Sequence, residues 1–112
     1  MNRMTVTNPF DGSLVGEMVL SSEHDVEKAL AAAAKTHEAN RKGLPKHERI
    51  AILKKTAEIM VDRSDELAML IAAEGGKPLI DARVEVARAI DSVETCASEI
   101  AHNAGVEIPM DL

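Results

Sequence analysis

The stretch Glu74-Gly75-Gly76-Lys77-Pro78-Leu79-Ile80-Asp81-Ala82-Arg83-Val84-Glu85-Val86 places a helix stop, a turn and a helix start in immediate succession. Consecutive glycines end a helix readily, because glycine adopts the left-handed closing conformation without a side-chain penalty. Pro78 then offers a fixed φ and lacks a donor, both suited to the first turn of a new helix. Before this corner a short helix is expected over about 64–74, capped by Ser64 and bearing Leu67, Leu70 and Ile71. After it a long helix, 78–103, is expected from Pro78 to Asn103, stopped at Gly105 and roughly 39 Å long at 1.5 Å per residue. Its apolar stripe reads Ile80, Val84, Ala87, Ile90, Val93 or Glu94, Ala97 and Ile100.

Upstream, the pattern turns from extended to helical. Residues 4–20 carry β-branched and apolar residues around Asn8-Pro9-Phe10-Asp11-Gly12-Ser13, where Asp-Gly is a strong turn signal, and read as a hairpin whose second strand is Leu14 to Leu20. Two strands are marginal alone, so the hairpin must lie on helices or join a larger sheet. Ser22-Glu23-His24-Asp25 resembles a capping box and opens an Ala-rich helix over about 23–40, with Val26, Leu30, Ala33 and His37 on its apolar face. A break at Arg41-Lys42-Gly43-Leu44 leads to Pro45 and a helix over about 46–62, where Ile50, Leu53, Ala57 and Met60 recur every three to four residues. At the far end, Val106-Glu107-Ile108-Pro109-Met110 alternates as a strand would, over about 106–110, with no partner strand in view. The fold class is mainly α with an N-terminal β-hairpin.

A chain of 112 residues is one domain's worth, able to bury roughly 65% of the surface its unfolded form exposes. Of its apolar residues 17 are Ala, there is one Phe and neither Trp nor Tyr, so the core is thin and some apolar surface is expected to lie against something else. The net charge of -6 and the scarcity of aromatic residues argue against nucleic acid. No membrane partner is expected, because no apolar run is long enough to span a bilayer and the N-terminus lacks a signal-peptide core. The single cysteine, Cys96, forms no internal disulfide and fits a reducing compartment, so a cytoplasmic location is the default.

Candidate chemistry is sparse. Cys96 sits in mid-helix, away from a helix N-terminus that would activate a thiolate, and reads as a small packed thiol. His24, His37, His47 and His102 are scattered, without the spacing of a zinc site. Glu66, Glu74 and Asp81 lie near helix ends, where carboxylates complement the dipole. Gly75-Gly76-Lys77 fails as a phosphate loop, since Pro78 stands where a hydroxyl would hold magnesium, and there is no Gly-x-Gly-x-x-Gly. No catalytic and no cofactor-binding residue is assigned.

The corner nevertheless resembles a known family. Its Glu-x-Gly-Lys-Pro-x-x-x-Ala-Arg-x-Glu-Val pattern is similar to a segment near the amino end of NAD(P)-dependent aldehyde dehydrogenases of the lactaldehyde and non-phosphorylating glyceraldehyde-3-phosphate dehydrogenase type. Further agreements lie in register: Asn8-Pro9-x-Asp11-Gly12 with Val15-Gly16-Glu17, Val26 through Ala34, Pro45-x-x-Glu48-Arg49-x-x-Ile52-Leu53, and Asp65-Glu66-Leu67-Ala68. The ending Val106-Glu107-Ile108-Pro109 resembles the segment leading toward the family's oligomerisation strands.

The resemblance implies a fragment of the α/β aldehyde dehydrogenase fold, the helical part beside its nucleotide-binding domain. It implies oxidation of an aldehyde to an acid through a thiohemiacetal, hydride transfer to NAD or NADP, and thioester hydrolysis, with the catalytic residues and cofactor loops beyond Leu112. No cofactor is expected to bind this chain alone. The expected partners are the remainder of such an enzyme or a partner subunit, in a homo-oligomer. The resemblance also implies a monovalent-cation site at the backbone carbonyls of Val6 and Thr7 with the carboxylate of Glu74, oxygen donors of the type hard cations take; Gly75 stands where the family commonly has Thr. From a different class comes the alternative of a free-standing helical binding or assembly module derived from that family.

Overall fold

The computed structural model describes residues 3–110. Its elements run β1 (Arg3–Thr7), β2 (Leu14–Val19), α1 (Glu23–Ala39), α2 (Lys46–Asp62), α3 (Ser64–Gly75) and α4 (Leu79–His102). The chain is mainly helical with an antiparallel N-terminal hairpin, the fold class expected from its patterning. Arg3 pairs with Val19 and Val6 with Gly16, but Thr7 pairs with Leu14, so Val15 is an extra residue on β2 that bulges the ladder beside the turn. Within that turn Asn8 Oδ1 accepts from the Phe10 N–H and Asp11 Oδ1 from the Ser13 N–H, both at 2.9 Å, and Gly12 takes a φ of 72°.

The capping box at the start of α1 is formed as its sequence predicts. Ser22 Oγ accepts from the Asp25 N–H at 3.2 Å, and the Ser22 N–H donates to Asp25 Oδ2 at 2.9 Å. The Ser22 hydroxyl, and after it the Ser22 N–H, hold the Asp25 carboxyl below its usual range. A depressed folded-state pKa stabilises above the unfolded value, near ~3.9, and loses that contribution as pH falls through the lower folded one. Helical ¹³Cα shifts at the start of α1 are therefore expected to fade below about pH 4, and Asp25→Ala to abolish that pH dependence.

Other helix starts depart from expectation. Ser64 is the first residue of α3 and makes no cap; the capping position is Arg63, because α3 follows α2 with one intervening residue and no room for a separate cap. Pro45 and Pro78 occupy N-cap positions with extended ψ of 148° and 133°, their carbonyls accepting the first helical bonds. The glycine stop forms at Gly76, whose φ of 65° is left-handed, after α3 has run on through Gly75. Residues 106–110, expected as a strand, form neither helix nor strand. Alternation describes a strand only when a neighbour supplies the ladder, and the two strands described pair with each other.

The core sits where α2 and α3 pack on α4. Its buried residues are Ala57, Ala68, Ala82, Val86 and Ala97, with Leu67, Ile71, Leu79 and Ile90 packed against the α3–α4 part. The buried face of α4 follows Leu79, Ala82, Val86, Ile90, Val93, Ala97 and Ile100, which corrects the first half of the expected stripe: Ile80 is 73% exposed and Val84 and Ala87 are exposed too. On α3 the buried residue is Ala68, while Leu70 faces out. Small residues are inside because the helices approach closely, and the larger apolar side chains point away from this contact.

Those outward side chains give the molecule an unusual surface. It exposes 9407 Å², whereas a compact monomer of 12.0 kDa would expose about 6,000 Å². Its radius of gyration is 20.0 Å against about 13 Å for a compact chain of this length. More than half of the unfolded chain's surface of roughly 17,400 Å² thus remains exposed, well short of the burial its length allows.

Candidate functional site

Packing between α3 and β1 joins the hairpin to the Gly-Lys-Pro corner. Pro9, in the hairpin turn, lies directly over Gly76: a Cβ built on that glycine would stand 2.7 Å from Pro9 Cγ. The corner thus serves two purposes, ending α3 and seating the hairpin. Sequence reasoning found the first purpose and missed the second; the signal available was a pair of glycines where one suffices to stop a helix.

The three candidate cation ligands flank this junction. Val6 and Thr7 end β1 beside the bulge, Val6 half-buried and Thr7 exposed, and Glu74 lies exposed in the last turn of α3, two residues before Gly76. Carbonyl and carboxylate oxygens are the donors a hard monovalent or divalent cation takes. Among the described residues, no group of three or more His, Cys, Asp and Glu side chains is placed to hold a metal ion.

Other candidates stay apart. Cys96 is exposed on α4, not packed as expected, because the buried face of that stretch runs through Val93, Ala97 and Ile100. Glu66 receives two hydrogen bonds from Arg63, at 2.8 and 2.6 Å, and this pairing holds its carboxyl below the usual range. Asp81 is exposed in the first turn of α4, where it complements the helix dipole. Lys77 pairs with Glu85, and Arg83 reaches Asp65 at 3.2 Å to link α4 with α3. Of the four histidines, His102 bonds the Ser98 carbonyl through Nδ1 at 2.9 Å, one turn back on its own helix.

A groove of about 470 Å³ runs between α2 and α4, with Ala57 and Ala97 at its floor and Lys54, Glu58, Asp62 and Glu94 among its walls. Val61 and Ser98 complete its lining. Neither described strand feeds a helix through Gly-x-Gly-x-x-Gly, the fingerprint of one class of dinucleotide site.

Comparison with known proteins assigns the chain to a family. The family model described as "Aldehyde dehydrogenase family" matches residues 1–112. The chain belongs to the aldehyde dehydrogenase family. An aldehyde-dehydrogenase-like protein of Sinorhizobium fredii is 36% identical over 108 residues, 96% of this chain and 21% of the relative. Aldehyde dehydrogenase 21 of Physcomitrella patens, solved with its reaction product succinate, superposes with a TM-score of 0.90 at 31% identity over 99% of this chain and 23% of that one. The glyceraldehyde-3-phosphate dehydrogenase GapN of Methanocaldococcus jannaschii, solved with NADP, superposes with a TM-score of 0.87 at 30% identity over 96% of this chain and 24% of that one. This aldehyde dehydrogenase segment thus spans about a fifth of the length of the relative from Sinorhizobium fredii. No described helix is long and apolar enough to cross a membrane.

Proposed function

We propose that these residues are the amino-terminal scaffold of an NAD(P)-dependent aldehyde dehydrogenase that oxidises an aldehyde to a carboxylic acid, and that the chain alone is inactive. In this reading they form the helical part of the cofactor-binding domain, and nucleophile, base and cofactor contacts come from the remainder of the enzyme, a cytoplasmic homo-oligomer. The surface excess carries the proposal. Roughly 3,400 Å² beyond a compact monomer's surface is several times the ~800 Å² that one partner buries in an ordinary protein interface. Phe10, 94% exposed at the hairpin turn, and Ile80 are side chains of the kind that cover such contacts.

The test is the intact mass of the native product under denaturing conditions, with aldehyde-dependent NAD(P) reduction by the isolated chain. A product several times heavier than 12.0 kDa and no turnover by the isolated chain are expected. A native product of this mass without turnover would favour the free-standing assembly module, which the same exposed apolar surface also suits. Turnover by the isolated chain would overturn both readings.

At the hairpin junction the proposal extends to a monovalent cation held by the Val6 and Thr7 carbonyls and Glu74. A cation at ten times its Kd would stabilise the intact enzyme by about 1.4 kcal/mol. Melting in potassium, compared with choline at equal ionic strength, is expected to show that gain, and Glu74→Gln to remove it. Equal melting of the native enzyme in both salts would rule the site out.

A further inference from the structure

Helix α1 stands apart from the rest of its own chain. None of its residues is buried, and it makes no substantial packing contact with another element. Its apolar face is intact nonetheless: Val26 and Leu30, both at least half exposed, continue into Ala33 and His37. A 17-residue helix without tertiary packing is marginal in water, even when Ala-rich and well capped.

Its position is nevertheless the one found in aldehyde dehydrogenase 21 of Physcomitrella patens. Because α1 holds 17 of the 112 residues, a superposition that missed it would score at most about 0.85, and the match to aldehyde dehydrogenase 21 scores 0.90. A helix kept in that place without support from its own segment must be held by the 77% of the larger chain that this one does not cover. We infer that α1 is a docking arm whose Val26–Leu30–Ala33–His37 face is covered by the remainder of the aldehyde dehydrogenase chain, and that it becomes a stable helix on that contact. The inference rests on the scaffold reading and names the element that couples this segment to the rest. The run Ala29, Ala31, Ala32, Ala33 and Ala34 favours close approach, since no large side chain separates the helix backbone from its cover.

Hydrogen exchange tests it in two settings, the 112-residue chain alone and a chimera in which these residues replace the corresponding segment of the Physcomitrella patens enzyme. In the isolated chain, α1 amides are expected to exchange at least 100-fold faster than those around Ala57 and Ala97; in the chimera, at least 100-fold slower than in the isolated chain. Leu30→Asp should abolish that protection in the chimera and leave α2–α4 of the isolated chain unchanged. Protection of α1 equal to that of α4 in the monomeric isolated chain would overturn the inference, as would protection that appears there only at concentrations where the chain dimerises. So would a chimera whose α1 protection survives Leu30→Asp. A chimera that protects α1 but reduces no NAD(P) would remove the scaffold reading and leave the docking arm standing.

Discussion

Gly76→Ala is expected to destabilise the chain by about 2–4 kcal/mol, the larger of two contrasting results at adjacent glycines. The left-handed φ of 65° costs an L-residue roughly 1–2 kcal/mol. The added methyl would also stand 2.7 Å from Pro9 Cγ, in a ring tied to the hairpin backbone that has no rotamer to escape into. Either the hairpin lifts from α3 or the corner distorts. Gly75→Ala has neither problem: the residue is helical and nothing lies within 4 Å of its Cβ. Removing a helical glycine should add about 0.5–1 kcal/mol. Urea midpoints of the two variants should therefore move in opposite directions, and a Gly76→Ala loss no larger than the roughly 1–2 kcal/mol of the left-handed φ would show that Pro9 is not seated on the corner.

Ala82→Leu is the second large effect. Ala82 and Ala68 are each 0% exposed where α4 meets α3, with Val86 completing the cluster. A leucine adds three carbons to a contact without space, and overpacking of this kind costs about 1–3 kcal/mol. Ile80→Ala is the informative partner. Two residues away but 73% exposed, it should change the isolated chain by less than about 0.5 kcal/mol. In the intact enzyme, where the scaffold reading has Ile80 covered, the same truncation is expected to cost about 2–5 kcal/mol. Thermal melts of both variants in both settings check the pair, and an Ile80→Ala enzyme as stable as its parent would mean that the face stays open.

Several patterns were legible because the interactions that decide them are local. The Ser22–Asp25 capping box, the Gly76 stop and the alternation of β1 with β2 each rest on residues within a few positions of one another, or on a short turn. The stripe of α2 was also readable, with Ala57 buried and Ile50, Leu53 and Met60 half-buried, because its apolar residues lie on a single face. On α4 the reading slipped at the start, since Ile80 and Val84 mark one face and Leu79, Ala82 and Val86 another. Periodicity ranks a face by its largest residues, whereas closely packed helices bury their smallest.

The cation candidates show the same division. Glu74, Val6 and Thr7 came from family resemblance, not from spacing, because most of the helical region separates them in the chain, and the elements that carry them, β1 and α3, meet only in the tertiary structure. By itself, the sequence determined the hairpin, the four helices, the helix-ending corner and the family. Tertiary structure alone decided which face of α4 is inside, that Pro9 closes over Gly76, and that α1 and residues 106–110 have no cover within the described segment. Caps and turns depend on short-range hydrogen bonds written in adjacent residues, whereas a buried face depends on how closely a distant backbone approaches, which no local pattern specifies.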